Sequence, residues 1–93
     1  MSMAHAVVLI ESERDALATL GAALADVEGV AEAYSVTGEW DFVAVVHVPD
    51  HERLADVVTA KIGALPGVAR TQTMVAFAAY SQHDLESLFS LGG

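Results

Sequence analysis

The stretch VTGEWDFVAVVHV, residues 36–48, joins a glycine turn to a strand that is apolar on both of its alternating faces. Successive side chains of a strand point to opposite sides of a sheet. An antiparallel strand with one side in water should therefore alternate apolar with polar residues. In this strand one face carries Phe42, Ala44, Val46 and Val48, and the other carries Val43, Val45 and His47. The stretch predicts a sheet that is covered on both faces.

The segments before this strand predict a strand, a helix and a second strand. HAVVLIES, residues 5–12, is short, β-branched and bounded by charge, which indicates a buried strand. VAEAYSVT, residues 30–37, is extended and forms a hairpin with the next strand through the glycine turn. Between them, ERDALATLGAALADVEG, residues 13–29, predicts a helix with the apolar stripe Leu17, Leu20, Leu24 and Val27.

The segments after it predict another helix, a last strand and a terminal helix. Asp50 has the position and chemistry of an N-cap for the second helix. VARTQTMVAFAAY, residues 68–80, alternates like a strand, and SQHDLESLFSL, residues 81–91, begins with a capping pattern. The apolar residues of the second helix are Leu54, Val57, Val58, Ile62 and Leu65.

This order of elements predicts an α+β, ferredoxin-like βαββαβ fold with a four-stranded antiparallel sheet and an extra C-terminal helix. Right-handed crossovers place both helices on one face of the sheet. We expect residues 1–80 to form the domain and residues 81–93 to form a helix or tail. Because the other sheet face is also apolar, we expect a second copy to cover it, which gives a dimeric α+β barrel.

The composition excludes several classes of function. The 93 residues include 13 Asp and Glu against 4 Lys and Arg, a formal net charge of -9. Binding to a phosphate backbone requires the opposite charge, so we expect no direct contact with nucleic acid. There is no cysteine, which excludes thiolate chemistry and cysteine-ligated metal sites. No apolar run is long enough to span a bilayer, so we expect a cytoplasmic protein without a membrane partner.

Two motifs then point to a known family. The first is the Gly-x-x-Asp turn of residues 38–41, and the second is Pro66-Gly67-Val68 followed by Thr71-x-Thr73. With these motifs, residues 4–80 resemble the effector-binding (RAM) domain of the leucine-responsive and asparagine-responsive (Lrp/AsnC) regulators. Full-length members also carry an N-terminal helix-turn-helix, whereas this sequence begins directly at its first strand. The resemblance therefore implies a stand-alone amino-acid sensor.

The same resemblance implies partners and an assembly. Members of the family form dimers that assemble into octamers or larger rings. We therefore expect a small-molecule effector of the amino-acid class, a homodimer within such a ring, and co-assembly with full-length Lrp/AsnC regulators.

The turn itself has the groups that would hold a zwitterion. A site for a free amino acid needs a carboxylate beside the ammonium group and several donors around the carboxylate group. Asp41 offers the carboxylate, and Gly38 lets a ligand approach the backbone. Glu39 and Trp40 contribute amides, and the Trp40 ring is a candidate wall for the side-chain pocket.

Further candidate contacts come only from the resemblance. In the family the effector lies between dimers, and this implies that Thr71, Gln72 and Thr73 of a neighbouring copy also touch it. The alternative is structural, because a Gly-x-x-Asp turn also fits an ordinary hairpin in which Asp41 bonds nearby amides. The residues alone leave both interpretations open.

Two other kinds of site are less well supported by the residues. His47, Asp50 and His51 could imitate a metal site, but the start of a helix explains Asp50 and His51 better, so we expect no metal or other cofactor. Dimeric α+β barrels also include small monooxygenases and isomerases, so an enzyme of that kind is the alternative function. Because the helix-facing positions are nearly all aliphatic, we expect a binding module without catalytic residues.

Overall fold

The computed structural model describes residues 3–78 and residue 80, which contain a four-stranded antiparallel sheet with helices on one face. The order of the strands is β2-β3-β1-β4, so β1 and β3 are central and β2 and β4 are edges. The predicted βαββαβ order and ferredoxin-like fold are confirmed. The strands are β1 (Ala4–Ser12), β2 (Val30–Ser35), β3 (Phe42–Val48) and β4 (Val68–Ala76), and the helices are α1 (Leu20–Ala25) and α2 (His51–Asp56).

The core lies between the sheet and the helices. Every second residue of β1 is buried there, and β1 pairs with β3 so that their buried residues share this face. Leu20 and Leu24 of α1 and Leu54 of α2 close the core from the other side. The buried strand residues are Ala4, Ala6, Val8, Ile10, Phe42, Ala44, Val46 and Val48.

The first helix is shorter than the sequence predicts. A 3-10 turn, Arg14–Ala16, precedes α1, and Leu17 lies in the gap between them. Leu17 is 49% exposed, so the prediction that it belongs to the core stripe is wrong. The stripe assumes 3.6 residues per turn throughout, whereas a 3-10 turn has about three and changes the phase of the residues after it.

The second helix begins where the sequence predicts. One carboxylate oxygen of Asp50 accepts a hydrogen bond from the Arg53 amide at 2.8 Å, which confirms Asp50 as the N-cap. After α2 the chain continues as a π-helical segment, Val57–Ile62. Its wider turn ends with a bond from the Gly63 amide to the Val58 carbonyl at 3.0 Å.

The end of the chain departs from the predicted pattern. Strand β4 ends at Ala76, four residues before the predicted end at residue 80. The terminal helix that the sequence predicts for residues 81–91 lies outside the described residues. No helix in the described part of the chain is long and apolar enough to cross a membrane.

We expect replacement of Gly67 to destabilise the fold more than replacement of Gly38, which serves as the matched control. It has a φ of 97°, and a Cβ atom there would lie 2.3 Å from the Cβ atom of Ala16. Gly38 has a similar φ of 106° but no atom within 4 Å of such a Cβ. Positive φ costs alanine about 1–2 kcal/mol at either position. We expect Gly67→Ala to lower the free energy of unfolding by about 1–3 kcal/mol more than Gly38→Ala.

Urea unfolding of both variants measures this difference. Equal losses would show that the contact with Ala16 does not constrain residue 67.

Candidate functional site

The turn of residues 38–41 lies between β2 and β3, at the end of the sheet where β1 finishes and β4 begins. The Asp41 amide donates to the Ile10 carbonyl at 2.9 Å, and the Asp41 carbonyl accepts from the Val36 amide at 3.0 Å. These two bonds tie the C-terminal end of the turn both to β1 and to the chain leaving β2. Gly38 stands exposed at the start of the turn.

The Asp41 carboxylate also has a structural contact. Its Oδ2 atom accepts a hydrogen bond from the Ser12 amide at 2.8 Å, and Asp41 is half-buried. This is the kind of bond that the hairpin interpretation expects. Within residues 3–78 and 80, no hydrogen bond reaches the other carboxylate oxygen of Asp41.

The backbone amides of the turn are available to a ligand. Among the described residues, the amides of Thr37, Gly38, Glu39 and Trp40 donate to no protein acceptor. Successive unpaired amides in a turn form a concavity that favours anions. The arrangement therefore places donors for a carboxylate group close to the Asp41 carboxylate.

Two charged side chains that the sequence did not single out lie beside the turn. The Arg70 guanidinium carbon is 4.3 Å from the centroid of the Trp40 ring, and its Nη2 atom is 3.4 Å from Oε2 of Glu11. Glu11 and Arg70 are opposite one another in the pairing of β1 with β4. Knowledge of this pairing would have been enough to place Glu11 and Arg70 side by side near the turn. Arg70 is half-exposed, so these contacts orient the Trp40 ring more than they stabilise the fold.

The residues of the Thr-x-Thr motif are divided between the two sheet faces. Thr71 pairs with Ile10 and Thr73 with Val8, on the helix side, whereas Gln72 pairs with Leu9 on the opposite side. Strand β1 separates this motif from the turn. Two strand spacings put about 10 Å between the backbone of the turn and that of the Thr-x-Thr motif, although the side chain of Arg70, next to the motif, reaches the Trp40 ring.

The sheet face away from the helices, which we call the open face, is mostly apolar. Its central residues are half-buried, and at its margins Tyr34 is 48% exposed and Met74 is 47% exposed. The Tyr34 hydroxyl donates a hydrogen bond to Glu32, and this bond, with a smaller effect of burial, raises the pKa of Tyr34. The central residues are Val7 and Leu9 of β1 with Val43 and Val45 of β3.

Two of the three candidate metal ligands have other contacts. Asp50 caps α2, and the exposed His47 ring packs edge-on against His5 with centroids 4.4 Å apart. In the part of the chain that the structure describes, no three histidine, cysteine, aspartate or glutamate residues cluster as metal ligands would.

Comparison with known protein sequences gives a family and a relative. A family model described as the Lrp/AsnC ligand binding domain matches residues 5–85. Over 54 residues the chain is 37% identical to an uncharacterized HTH-type transcriptional regulator of Pyrococcus furiosus. That match covers 58% of this chain and 36% of the regulator, so the chain corresponds to about a third of the relative's length.

Solved structures share the fold. A Thermus thermophilus protein is 48% identical with a TM-score of 0.78, and the match covers 85% of this chain and 99% of that one. A Neisseria meningitidis transcriptional regulator, solved in complex with L-Met, has a TM-score of 0.75 at 17% identity. That match covers 85% of this chain and 53% of the regulator, and it shows the shared fold alone.

Two variants of Asp41 distinguish the effect of its hydrogen bond with the Ser12 amide on stability from the effect of its charge. Asp41→Ala removes the acceptor of the Ser12 amide, so we expect a loss of about 1–3 kcal/mol in the free energy of unfolding. Asp41→Asn keeps an acceptor oxygen and should lose clearly less. Urea unfolding of both variants is the measurement. If the two variants are equally stable, the bond to Ser12 contributes nothing.

Proposed function

The chain belongs to the Lrp/AsnC ligand-binding domain family, and we propose that it binds a free amino acid at the 38–41 turn and thereby modulates transcriptional regulation. The family is one of regulators, and the P. furiosus relative is named as an HTH-type transcriptional regulator. In such a system the chain would act as the sensor of the effector.

The unpaired amides beside the Asp41 carboxylate carry this proposal. A free amino acid has a carboxylate group that needs donors and an ammonium group that needs an anion. The amides of residues 37–40 supply the donors, and the second oxygen of Asp41 supplies the anion. Gly38 supports the approach of a ligand, since its surroundings are open. The Trp40 ring, held by Arg70, forms one wall.

A relative that shares the fold suggests which class of ligand to test first. The N. meningitidis regulator was solved in complex with L-Met, which is a free amino acid. At 17% identity the likeness concerns the fold, so the ligand of this chain has to be found by experiment. Free α-amino acids are therefore the first ligands to test.

We place the rest of the site on a neighbouring copy. The backbones of the turn and of the Thr-x-Thr motif are about two strand spacings apart within one chain, and a site shared between copies would bring a second motif directly over the turn. In this arrangement Thr71, Gln72 and Thr73 of a neighbour complete the pocket over the turn. Side chains from both sheet faces of β4 would then be at the boundary between copies.

Assembly is the second part of the proposal. The open face presents contiguous apolar residues, and a surface of this kind marks a protein–protein contact. A second copy related by a two-fold axis presents the same surface and can cover it. We infer a dimer through the open face and a ring of such dimers, octameric or larger, in which the turns lie between dimers.

Sensing through assembly needs no contact between this chain and DNA. The formal net charge of -9 opposes binding to a phosphate backbone. The effect on transcription would come from co-assembly with full-length regulators of the family. Among the described residues every buried side chain is apolar, which favours a binding module over a small barrel enzyme.

Amino-acid binding can be followed through Trp40, the only tryptophan. We expect at least one common L-amino acid, with L-methionine tested first, to change the fluorescence of Trp40 saturably. Asp41→Asn removes the charge that faces the ammonium group, which costs about 2–5 kcal/mol for a desolvated pair, or at least about thirtyfold in Kd. Titration calorimetry on the same samples gives the affinity.

Asp26→Asn is the matched control, because it removes the same charge from an exposed residue at the end of α1. It should bind like the wild type. If no common amino acid binds the wild type, or if Asp41→Asn binds as tightly as Asp26→Asn, the turn is only a connection between strands.

Assembly can be tested on the open face. Val45→Glu buries a charge in the proposed dimer contact, and a desolvated, unpaired charge costs several kcal/mol. We expect light scattering to give at least a dimer for the wild type and a monomer for Val45→Glu. Ala22→Glu, on the exposed side of α1, adds the same charge and should leave the mass unchanged. A monomeric wild type, or a dimeric Val45→Glu with native circular dichroism, contradicts the proposed contact.

A further inference from the structure

A second pocket lies at the end of the sheet opposite the 38–41 turn. It is a cavity of about 240 Å³ between the end of β3, the connection from α1 to β2, and one side of α2 with its π-helical extension. Its apolar floor includes Val48 and Val57, which are 4% and 3% exposed. The length of β3 puts about 20 Å between this cavity and the turn, so the two are separate sites.

Half of the basic side chains of the protein line this cavity. The chain has 4 Lys and Arg, and both Arg53 and Lys61 are at the pocket. Four residues separate Arg53 from Val57 and Val57 from Lys61, which places all three on one side of a helix. Within the described residues neither cation has a carboxylate oxygen within 4.0 Å, whereas Arg70 is paired with Glu11. Lys61 lies in the π-helical segment, and such segments are frequent at functional sites.

Two carboxylates complete the charged lining. Glu28 comes from the connection between α1 and β2, and Asp56 comes from the last position of α2. With Arg53 and Lys61 they give a lining of two positive and two negative charges, and its formal sum is zero. A multiply charged anion gains from the cations but is repelled by the carboxylates. A ligand that carries one charge of each sign matches both pairs.

We propose that this cavity binds a small zwitterion. The carboxylate group of the ligand faces Arg53 and Lys61, and its ammonium group faces Glu28 and Asp56, over the apolar floor. Its volume of about 240 Å³ is well above the space that one water molecule needs, so it has room for a small ligand. This size matches a small amino acid, including one whose amino and carboxyl groups stand at opposite ends of a short chain. The site is distinct from the turn and does not depend on its function.

The probes are glycine, β-alanine, 4-aminobutyrate and 5-aminopentanoate, which increase the separation of the two charges stepwise. Butyrate, butylammonium and inorganic phosphate are the controls, because each carries charge of only one sign. Amide chemical shifts of the isotope-labelled protein report where each probe binds. We expect at least one zwitterion to shift the amides of Gly29, His47 and Lys61 saturably, and to bind at least about tenfold more tightly than any control.

Charge-removing variants locate the contacts. Arg53→Gln and Lys61→Gln should each weaken binding of the best zwitterion at least about tenfold, as expected for loss of a charge-assisted hydrogen bond. Arg14→Gln removes the same charge from an exposed residue outside the cavity and should bind like the wild type. Shifts at residues 38–41 alone, equal binding by Arg53→Gln and Arg14→Gln, binding of phosphate or butyrate as tight as that of the zwitterions, or no saturable shift at all would each overturn the proposal.

Discussion

Strand β1 is paired with a neighbouring strand on each side and is mostly apolar on both faces. On the helix side Ala6, Val8 and Ile10 are almost fully buried. Apolar burial contributes about 25 cal/mol per Å², so this face stabilises the isolated fold. On the open face Val7 and Leu9 remain half-buried. The same strand therefore builds one core and leaves a second apolar face, which the proposed dimer contact would cover.

Asp41 connects the fold to the proposed amino-acid site. Its amide and one carboxylate oxygen hold the turn against Ile10 and Ser12 of β1. Because those bonds fix the end of the turn, residues 37–40 can leave their amides unpaired without losing their position. A site whose donors are already in place has less conformational entropy to lose when a ligand binds. The structural and ligand-binding interpretations of the Gly-x-x-Asp motif are thus compatible, since each uses a different oxygen of Asp41.

The sequence predicted those features that depend on neighbours along the chain. Short, β-branched apolar runs identified β1 and β3, and the chemistry of Asp50 identified the start of α2. Leu17 was wrongly assigned to the core because helical spacing does not reveal a 3-10 turn. The contact of Arg70 with Trp40 depends on the register of β4, which one sequence does not specify. The charged cavity brings Glu28 and Lys61 together across the fold, so no local pattern could predict it.

Contacts between copies would show whether a second copy covers the open face. A sample that mixes isotope-labelled with unlabelled chains gives nuclear Overhauser effects that arise only between copies. We expect such effects between the methyl groups of Val7, Leu9 and Val45 of one copy and open-face protons of the other. Effects confined to the helices, or no effects between copies at a concentration where light scattering gives a dimer, would contradict it.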